Sequence, residues 1–443
     1  MVMPLPPLSP GTGRSYTGGM NPTTGRTYLD HAATTAVRPV ALEAFTASAL
    51  SLGNQSSLHS SGRGAKLRVE TARDALARAL GAHPSEVVFT SGGTESDNLA
   101  LKGLYWARRD AAQGAGRPAC HRIVLTGIEH SAILDTAEWL QDHEGAQLDL
   151  VPVGPDGAVD LDAWRDTLAR DPETIAVATL MWANNEIGTI QPIAEAAALA
   201  AEQGVPFHTD AVQAFGAVPL NFPSSGATTM AVTGHKIGAP VGVGALLVRR
   251  DATLTPVQHG GGQERDIRSG TIPVALIEAF AAAATEATRN LPVERERVGA
   301  LRDRLIAGIR ERFPEARLTG AEDLDPVTGE RLPAGTRRLP GNAHFVFPGC
   351  EGDSILFGLD MAGVEASTGS ACSAGVPRPS HVLIALGVDE DLARAVQRFS
   401  LGHTSTAEDV EKVLDVLPGV HAAALKAGMA GHDSGIRTAN SHR

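Results

Sequence analysis

The chain has 443 residues, 43% hydrophobic and 20% charged, which is typical of a globular protein with two or three domains. The net charge of -12 opposes binding to nucleic acid, and no run of about 18 apolar residues is present that could span a membrane. Three cysteines are too few for a disulfide framework and favour a reducing cytoplasm. The histidines show no common metal-binding spacing, so we predict no metal site.

The two ends of the chain differ from its middle in composition. Residues 1–26 are rich in Pro, Gly and Thr without an apolar segment, which predicts a disordered extension rather than a secretory signal. The sequence does not decide whether Met1 or Met20 is the start. Residues 428–443 are predicted to form a disordered tail.

From residue 27 to residue 284, short apolar strands alternate with amphipathic helices, which predicts an α/β fold with a mostly parallel sheet. The predicted strands are Val87–Thr90, Ile123–Thr126, Leu148–Val153, Ile175–Leu180, Val205–His208, Met230–Thr233 and Gly244–Val248. The predicted helices between them include Gly64–Leu80, Glu95–Ala112 and Ile193–Gln203. Active sites in such sheets lie beyond the carboxyl ends of the strands, and the polar clusters described below follow these strands.

From residue 285 to residue 427 the alternation stops, and the pattern predicts a smaller α+β domain. Its predicted elements are helix Val293–Arg312, strand Ala343–Phe347, helix Asp353–Met361 and helix Ala407–Leu417. Residues Asp323–Leu339 are polar and rich in Pro and Gly, so we expect an exposed loop there.

A strand, a glycine pair and a helix start follow one another in Phe89–Ala100. Gly93 allows close approach of the backbone, and Thr94 adds a hydroxyl at the first turn of the helix. Free N–H groups and the helix dipole favour a phosphate at this position. Capping of the helix alone is the competing interpretation.

Two further polar clusters follow strands. Lys236, in Thr233–Lys236, is placed to form a Schiff base if it is enclosed, although a surface lysine is the commoner case. Asp210, in His208–Gln213, could pair with a cationic ring nitrogen or could only cap a helix. Together with the phosphate cradle, the lysine and the carboxylate predict pyridoxal 5'-phosphate (PLP), whose protonated ring acts as an electron sink.

The chain resembles the cysteine desulfurases of the NifS/IscS type, which are class V aminotransferase-like PLP enzymes of fold type I. The resemblance extends from about Tyr28 to Leu417. The motifs that carry it are Tyr-Leu-Asp-His-Ala-Ala-Thr-Thr (28–35), Phe-Thr-Ser-Gly-Gly-Thr-Glu-Ser-Asp-Asn (89–98), Asn-Asn-Glu-Ile-Gly (184–188), Gly-His-Lys (234–236), His-Gly-Gly-Gly-Gln-Glu-Arg (259–265), Arg-Ser-Gly-Thr (268–271), Ser-Thr-Gly-Ser-Ala-Cys (367–372) and Arg-Phe-Ser-Leu-Gly (398–402).

The resemblance implies roles for single residues. Lys236 would be the Schiff-base lysine, and His130 would stack on the PLP ring and relay protons. Asp210 would hold the ring nitrogen and Gln213 the phenolic oxygen. The phosphate would be bound by Gly93, Thr94, Thr233 and His235.

The resemblance also implies a homodimer and a substrate. Thr271 is similar to a threonine that reaches the phosphate in the neighbouring subunit. Asn185 and Arg398 would bind the carboxylate of L-cysteine, because a guanidinium fork matches a planar anion.

Cys372 lies among small polar residues and near Pro377 and Pro379, which predicts an exposed, mobile loop. This loop resembles the long-loop group of the family, in which the cysteine carries the sulfur. For Cys120 and Cys350 we expect structural or incidental roles.

These features predict an enzyme that converts L-cysteine to L-alanine and holds the sulfur as a persulfide on Cys372. The expected acceptors are proteins of iron–sulfur cluster assembly or tRNA thiolation. The alternatives are a selenocysteine lyase or an aminotransferase of the same fold, or a scaffold subunit of a sulfur-transfer complex.

Overall fold

The computed structural model describes residues 25–369 and 379–435, with side chains through residue 427. The extension predicted for residues 1–26 lies almost wholly outside this part, and so does Cys372. The strands, in chain order, are β1 (Thr27–Tyr28), β2 (Val87–Thr90), β3 (Arg122–Thr126), β4 (Gln147–Val151), β5 (Ile175–Thr179), β6 (Phe207–Asp210), β7 (Thr229–Thr233), β8 (Gly244–Val248), β9 (Arg317–Leu318), β10 (Asn342–Val346), β11 (Val364–Glu365) and β12 (Val396–Ser400).

The predicted helices Gly64–Leu80, Glu95–Ala112, Ile193–Gln203 and Asp353–Met361 lie within a few residues of observed helices, whereas the helix predicted from Val293 starts at Val274 and the one predicted to end at Leu417 continues to Gly435. The observed α-helices are α1 (Pro39–Ala49), α2 (Ser60–Ala79), α3 (Gly93–Gly114), α4 (Ser131–Glu144), α5 (Leu161–Ala169), α6 (Ile193–Glu202), α7 (Phe222–Ser225), α8 (Val274–Arg312), α9 (Gly352–Met361), α10 (His381–Ala385), α11 (Glu390–Arg394) and α12 (Ala407–Gly435). In the described part of the chain, no helix has the length and apolar composition needed to cross a membrane.

The central sheet has seven strands in the order β2-β8-β7-β6-β5-β3-β4. Strand β8 is antiparallel to both of its neighbours, and the other pairs are parallel. The predicted α/β fold with a mostly parallel seven-stranded sheet is confirmed. Strands β2, β5, β6, β7 and β8 are buried along their whole length, as expected for a sheet covered on both faces. Strands β2, β6 and β7 end at the same edge, which brings their polar clusters together.

The C-terminal part of the chain contains a second hydrophobic core and two small sheets. Strand β10 pairs antiparallel with β9 and β12, and β1 pairs in parallel with β11. The segment that follows β1 therefore lies between the central sheet and the C-terminal part. Helix α8 continues through Pro292, so the domain boundary predicted between residues 284 and 285 falls inside it. Helix α12 continues to Gly435, so the tail predicted from residue 428 also begins inside a helix.

The insertion Asp323–Leu339 is exposed at residues 324, 326–331, 333 and 336, whereas Asp323 at one end and residues 338 and 339 at the other are buried. The Asp323 carboxylate accepts hydrogen bonds from the backbone N–H groups of residues 335, 336, 337 and 338. It also pairs with the Arg302 guanidinium on α8 at 3.0 Å. One buried carboxylate thus closes the loop and attaches it to α8.

We expect Asp323→Asn to lower the free energy of unfolding by about 2–4 kcal/mol, because it leaves the buried Arg302 with only the partly exposed Asp303 as counter-charge and weakens the acceptor of four backbone N–H groups. Denaturant unfolding followed by circular dichroism measures this loss. Glu330→Gln, at the exposed middle of the same insertion, is the control and should change stability little. Equal stability of the two variants would contradict the anchoring role of Asp323.

Candidate active site

The start of α3, at Gly93, lies where the phosphate cradle is predicted, directly after β2. A side chain at Gly93 would place its Cβ 2.7 Å from the Val212 methyl group, so only glycine fits there. A Cβ at Gly92 would lie 3.8 Å from the Thr233 hydroxyl, which brings the end of β7 to the same place. The first backbone N–H groups of a helix have no partner within the helix. With Thr94 they form a donor set suited to a phosphate.

Lys236 follows β7, and its amine points at the segment after β1. The amine donates to the carbonyl oxygens of Ala32 and Ala33, the latter at 2.7 Å. Burial and then the positive charge of Arg398 lower the pKa of Lys236, the carboxylates of Asp30 and Asp210 oppose the shift, and the resulting value is about 8. A substantial fraction of the amine is therefore neutral near physiological pH, as a Schiff-base lysine requires.

His235, directly before Lys236, lies near the same segment. Its Nδ1 is 3.4 Å from the hydroxyl of Thr34. Burial, and then the charge of Lys236, lower the pKa of His235 to about 4, so the ring is neutral. Gln213 donates from Nε2 to the carbonyl of Ala32 at 2.9 Å, which is one of the carbonyls that Lys236 contacts. The structure thus brings Lys236, His235 and Gln213 together.

Asp210 ends β6 and is buried, with Oδ1 accepting a hydrogen bond from the Val212 N–H at 2.8 Å. Burial raises its pKa, whereas the positive charges of His130 and Lys236 lower it. His130 and Lys236 therefore lie close enough to Asp210 to act on its ionisation. A cationic ring nitrogen would favour the ionised form of Asp210 in the same way.

His130 caps the start of α4, and its Nδ1 accepts the Ala132 N–H at 3.1 Å. This bond holds the ring, which is otherwise exposed, in one orientation. An imidazole held in this way near Asp210 could stack on a flat ligand ring or exchange protons with it.

Arg398 lies on β12, so this site residue is contributed by the C-terminal part of the chain. Its guanidinium donates to the carbonyl of Asn185 at 2.9 Å and to the Asp30 carboxylate at 2.7 Å. Among the described residues its Nε has no hydrogen-bond partner, although the side chain is buried. A substrate carboxylate could take the place of Asp30, because a guanidinium binds carboxylates through two parallel hydrogen bonds.

The cysteines differ in accessibility. The Cys120 thiol is buried and donates to the carbonyl of Glu173 at 3.0 Å. Burial and the nearby Glu315 raise the pKa of the buried Cys350 thiol to about 11. Both thiols are therefore poor nucleophiles. Cys372 lies outside the described residues.

Thr271 is exposed on the loop between β8 and α8, and within the described ranges no hydrogen bond joins it to another predicted site residue.

Sequence reasoning missed three groups of this site. Asp30, the partner of Arg398, lies within the motif 28–35, but its sequence position did not reveal the pairing. Asp97 is buried near Asp210, and its Oδ1 is 3.2 Å from Nε2 of His208. Glu129 is fully buried, and burial raises its pKa to about 8. Acidic residues are usually exposed in folded proteins, so the presence of Asp or Glu at these positions did not predict burial.

The residues of this site fit PLP. A helix start provides phosphate donors, Lys236 provides a partly neutral amine, and Asp210 provides a buried carboxylate. Arg398 adds a binding group for a carboxylate. Lys236 and Gln213 also line a cavity, to which the C-terminal part of the chain contributes Ser400 and His403.

Comparison with known proteins agrees with this geometry. The family described as Aminotransferase class-V matches residues 27–413. The IscS-like cysteine desulfurase of Mycobacterium tuberculosis is 53% identical over 91% of this chain and 98% of its own length. A solved structure called NifS-like protein has a TM-score of 0.77 and 31% identity over 90% of this chain and 98% of its own. The structure called SspA in complex with cysteine has a TM-score of 0.70 and 30% identity, covering 86% of this chain and 99% of its own.

The family match and these identities, over nearly the whole length of the relatives, agree with a site that fits PLP. The chain therefore belongs to the class-V aminotransferase family and is a PLP-dependent enzyme.

Proposed function

We propose that the protein is a cysteine desulfurase, which converts L-cysteine to L-alanine and keeps the sulfur as a persulfide on Cys372. The observation that supports this proposal is that Lys236 and Arg398 both bind the segment after β1, at Ala32 and Asp30, so that one group can take a proton and the other can bind a carboxylate in the same site. The 53% identity to an IscS-like cysteine desulfurase supports the choice of cysteine among amino acids.

The proposed roles follow from the positions of the side chains. Arg398 and Asn185 bind the substrate carboxylate, and Lys236 removes the proton from Cα. When bound, PLP supplies an electron sink that weakens the bond between Cβ and sulfur. The Cys372 thiolate attacks that sulfur, and His130 is the proposed acceptor of the thiol proton. The carbon skeleton keeps the electron pair of the broken bond between Cβ and sulfur, and one proton from solvent at Cβ and one from Lys236 at Cα complete alanine.

We further propose that the phosphate is bound by Gly93, Thr94, Thr233 and His235. Asp210 would hold the ring nitrogen, and Gln213 would bind the phenolic oxygen. The proximity of Gly92 to Thr233, and of Gln213 to Lys236, supports these assignments.

A homodimer in the cytoplasm is the proposed assembly and location. Leu50, Leu52 and Leu58 are more than 80% exposed within a short stretch of chain, which is unusual for a surface that stays in water. Thr271 would reach the phosphate site of the second copy. The proposed sulfur acceptors are proteins of iron–sulfur cluster assembly or tRNA thiolation.

Purified protein incubated with L-cysteine and a reductant should release alanine and sulfide. We expect Cys372→Ser to retain the cofactor absorbance but to lose sulfide release, because no other thiol can collect the sulfur. Cys120→Ser, which changes a buried thiol, is the matched control and should keep wild-type release. Equal sulfide from Cys372→Ser and wild type would refute the role of Cys372.

The same incubation distinguishes the alternative functions. Conversion of the cofactor to pyridoxamine with release of a keto acid would indicate an aminotransferase, and a strong preference for selenocysteine would indicate a selenocysteine lyase.

Arg398→Lys should raise the KM for L-cysteine by about 10- to 100-fold, because lysine keeps the charge but loses the two-pronged contact with a carboxylate. The methyl ester of L-cysteine lacks this carboxylate, so its KM should change little. Steady-state kinetics with both substrates tests the assignment. A KM that rises equally for both substrates would show that Arg398 does not bind the substrate carboxylate.

The lowered pKa of Lys236 predicts a pH dependence for cofactor uptake. Only the neutral amine attacks PLP, and the neutral fraction increases with pH. The rate at which the apoenzyme attaches PLP should therefore rise with pH, with a midpoint at pH about 8. Arg398→Gln removes a nearby positive charge and should move this midpoint upward. The absorbance of attached PLP, followed from pH 6 to pH 10, measures both. A wild-type midpoint near the ordinary lysine value of 10.5 would contradict the burial of the amine.

A further inference from the structure

The loop between β8 and α8 contacts the first turn of α3. The Arg268 guanidinium binds the Glu95 carboxylate through two hydrogen bonds, from Nε at 2.6 Å and from a terminal nitrogen at 3.1 Å. The same carboxylate accepts the Ser91 N–H at 2.8 Å. Both charged side chains are more than three-quarters shielded from solvent, with 14% of Arg268 and 24% of Glu95 exposed. This pair therefore lies at the edge of the proposed phosphate cradle.

Glu95 creates an electrostatic conflict at this position. A carboxylate in the first turn stabilises the helix, because it interacts favourably with the positive end of the helix dipole. The same negative charge would repel a phosphate bound at Gly93, two residues before Glu95 in the chain. Burial alone would raise the pKa of Glu95, but hydrogen bonds from Arg268 and Ser91 lower it below its usual range. Glu95 is thus ionised, and in the described structure Arg268 is the one cationic side chain that forms an ion pair with it.

The position of Arg268 is fixed by a strained loop. Glu264, Arg265 and Asp266 have φ angles of 46°, 59° and 62°, a region that residues other than glycine rarely adopt. The buried Glu264 carboxylate holds this conformation by binding the Arg73 guanidinium at 2.7 Å and the Phe89 N–H at 2.8 Å. Phe89 lies on β2, the strand that leads into the cradle. The loop and the cradle are therefore attached to each other at two points.

We propose that Arg268 is a positioning residue that neutralises Glu95 and thereby sets the affinity of the first turn of α3 for the phosphate of PLP. Arg268 acts through Glu95. The proposal rests on the phosphate site described under the proposed function. It does not depend on whether the substrate is cysteine.

Titration of the apoenzyme with PLP and with pyridoxal, which lacks the phosphate, separates this effect from general damage. We expect Arg268→Gln to raise the Kd for PLP about tenfold and to leave the Kd for pyridoxal unchanged, because one uncompensated charge then faces the phosphate. The double variant Glu95→Gln with Arg268→Gln removes both charges and should restore the affinity for PLP. Arg310→Gln, which breaks a two-pronged pair with Glu322 away from the site, is the matched control and should change neither Kd.

Equal losses of affinity for PLP and pyridoxal, or a double variant that binds PLP as weakly as Arg268→Gln, would overturn the proposal and leave Arg268 a purely structural role. If Arg268→Gln does not fold, Glu95→Gln alone decides. This variant should bind PLP at least as tightly as wild type, and weaker binding would overturn the proposal. Failure of the wild type to release sulfide from cysteine would refute the proposed function instead, without altering the ratio of the two affinities.

Discussion

The Lys236 amine is buried close to a second cation, the Arg398 guanidinium, and the chemistry of the site depends on this arrangement. Burial and like charge both disfavour the protonated amine, while Asp30 and Asp210 limit the shift. The balance keeps the pKa of Lys236 at about 8. A lysine in water would be almost fully protonated at neutral pH and could not act as a nucleophile or as a base.

This arrangement requires both parts of the chain. Lys236 and Asp210 come from neighbouring parallel strands of the central sheet, whereas Arg398 comes from β12 in the C-terminal part. The segment after β1 connects them, because Asp30 binds Arg398 and the carbonyl of Ala32 receives Lys236. Substrate that displaces Asp30 from Arg398 would also alter the charge around the amine. Carboxylate binding and the protonation of Lys236 are therefore linked in this geometry.

Much of this could be predicted from the sequence, because local rules determine it. Buried strands followed by polar residues located Asp210 and Lys236, and two glycines before an amphipathic helix located the phosphate cradle. The pairing of Asp30 with Arg398 joins residues 368 positions apart, and no local pattern encodes it. The insertion Asp323–Leu339 was predicted as an exposed loop from its composition, yet both of its ends are buried. Continuation of α8 through Pro292 was also missed, since packing of a helix can override a local breaker.

The central claim is that the sulfur of cysteine is transferred to Cys372. Mass spectrometry of the protein after a single turnover with L-cysteine, without reductant, tests this most directly. We expect one added sulfur atom on the peptide that contains Cys372 for each alanine formed, with Cys120 and Cys350 unchanged. Alanine formation without added sulfur at Cys372, or with the sulfur on either buried cysteine, would contradict it.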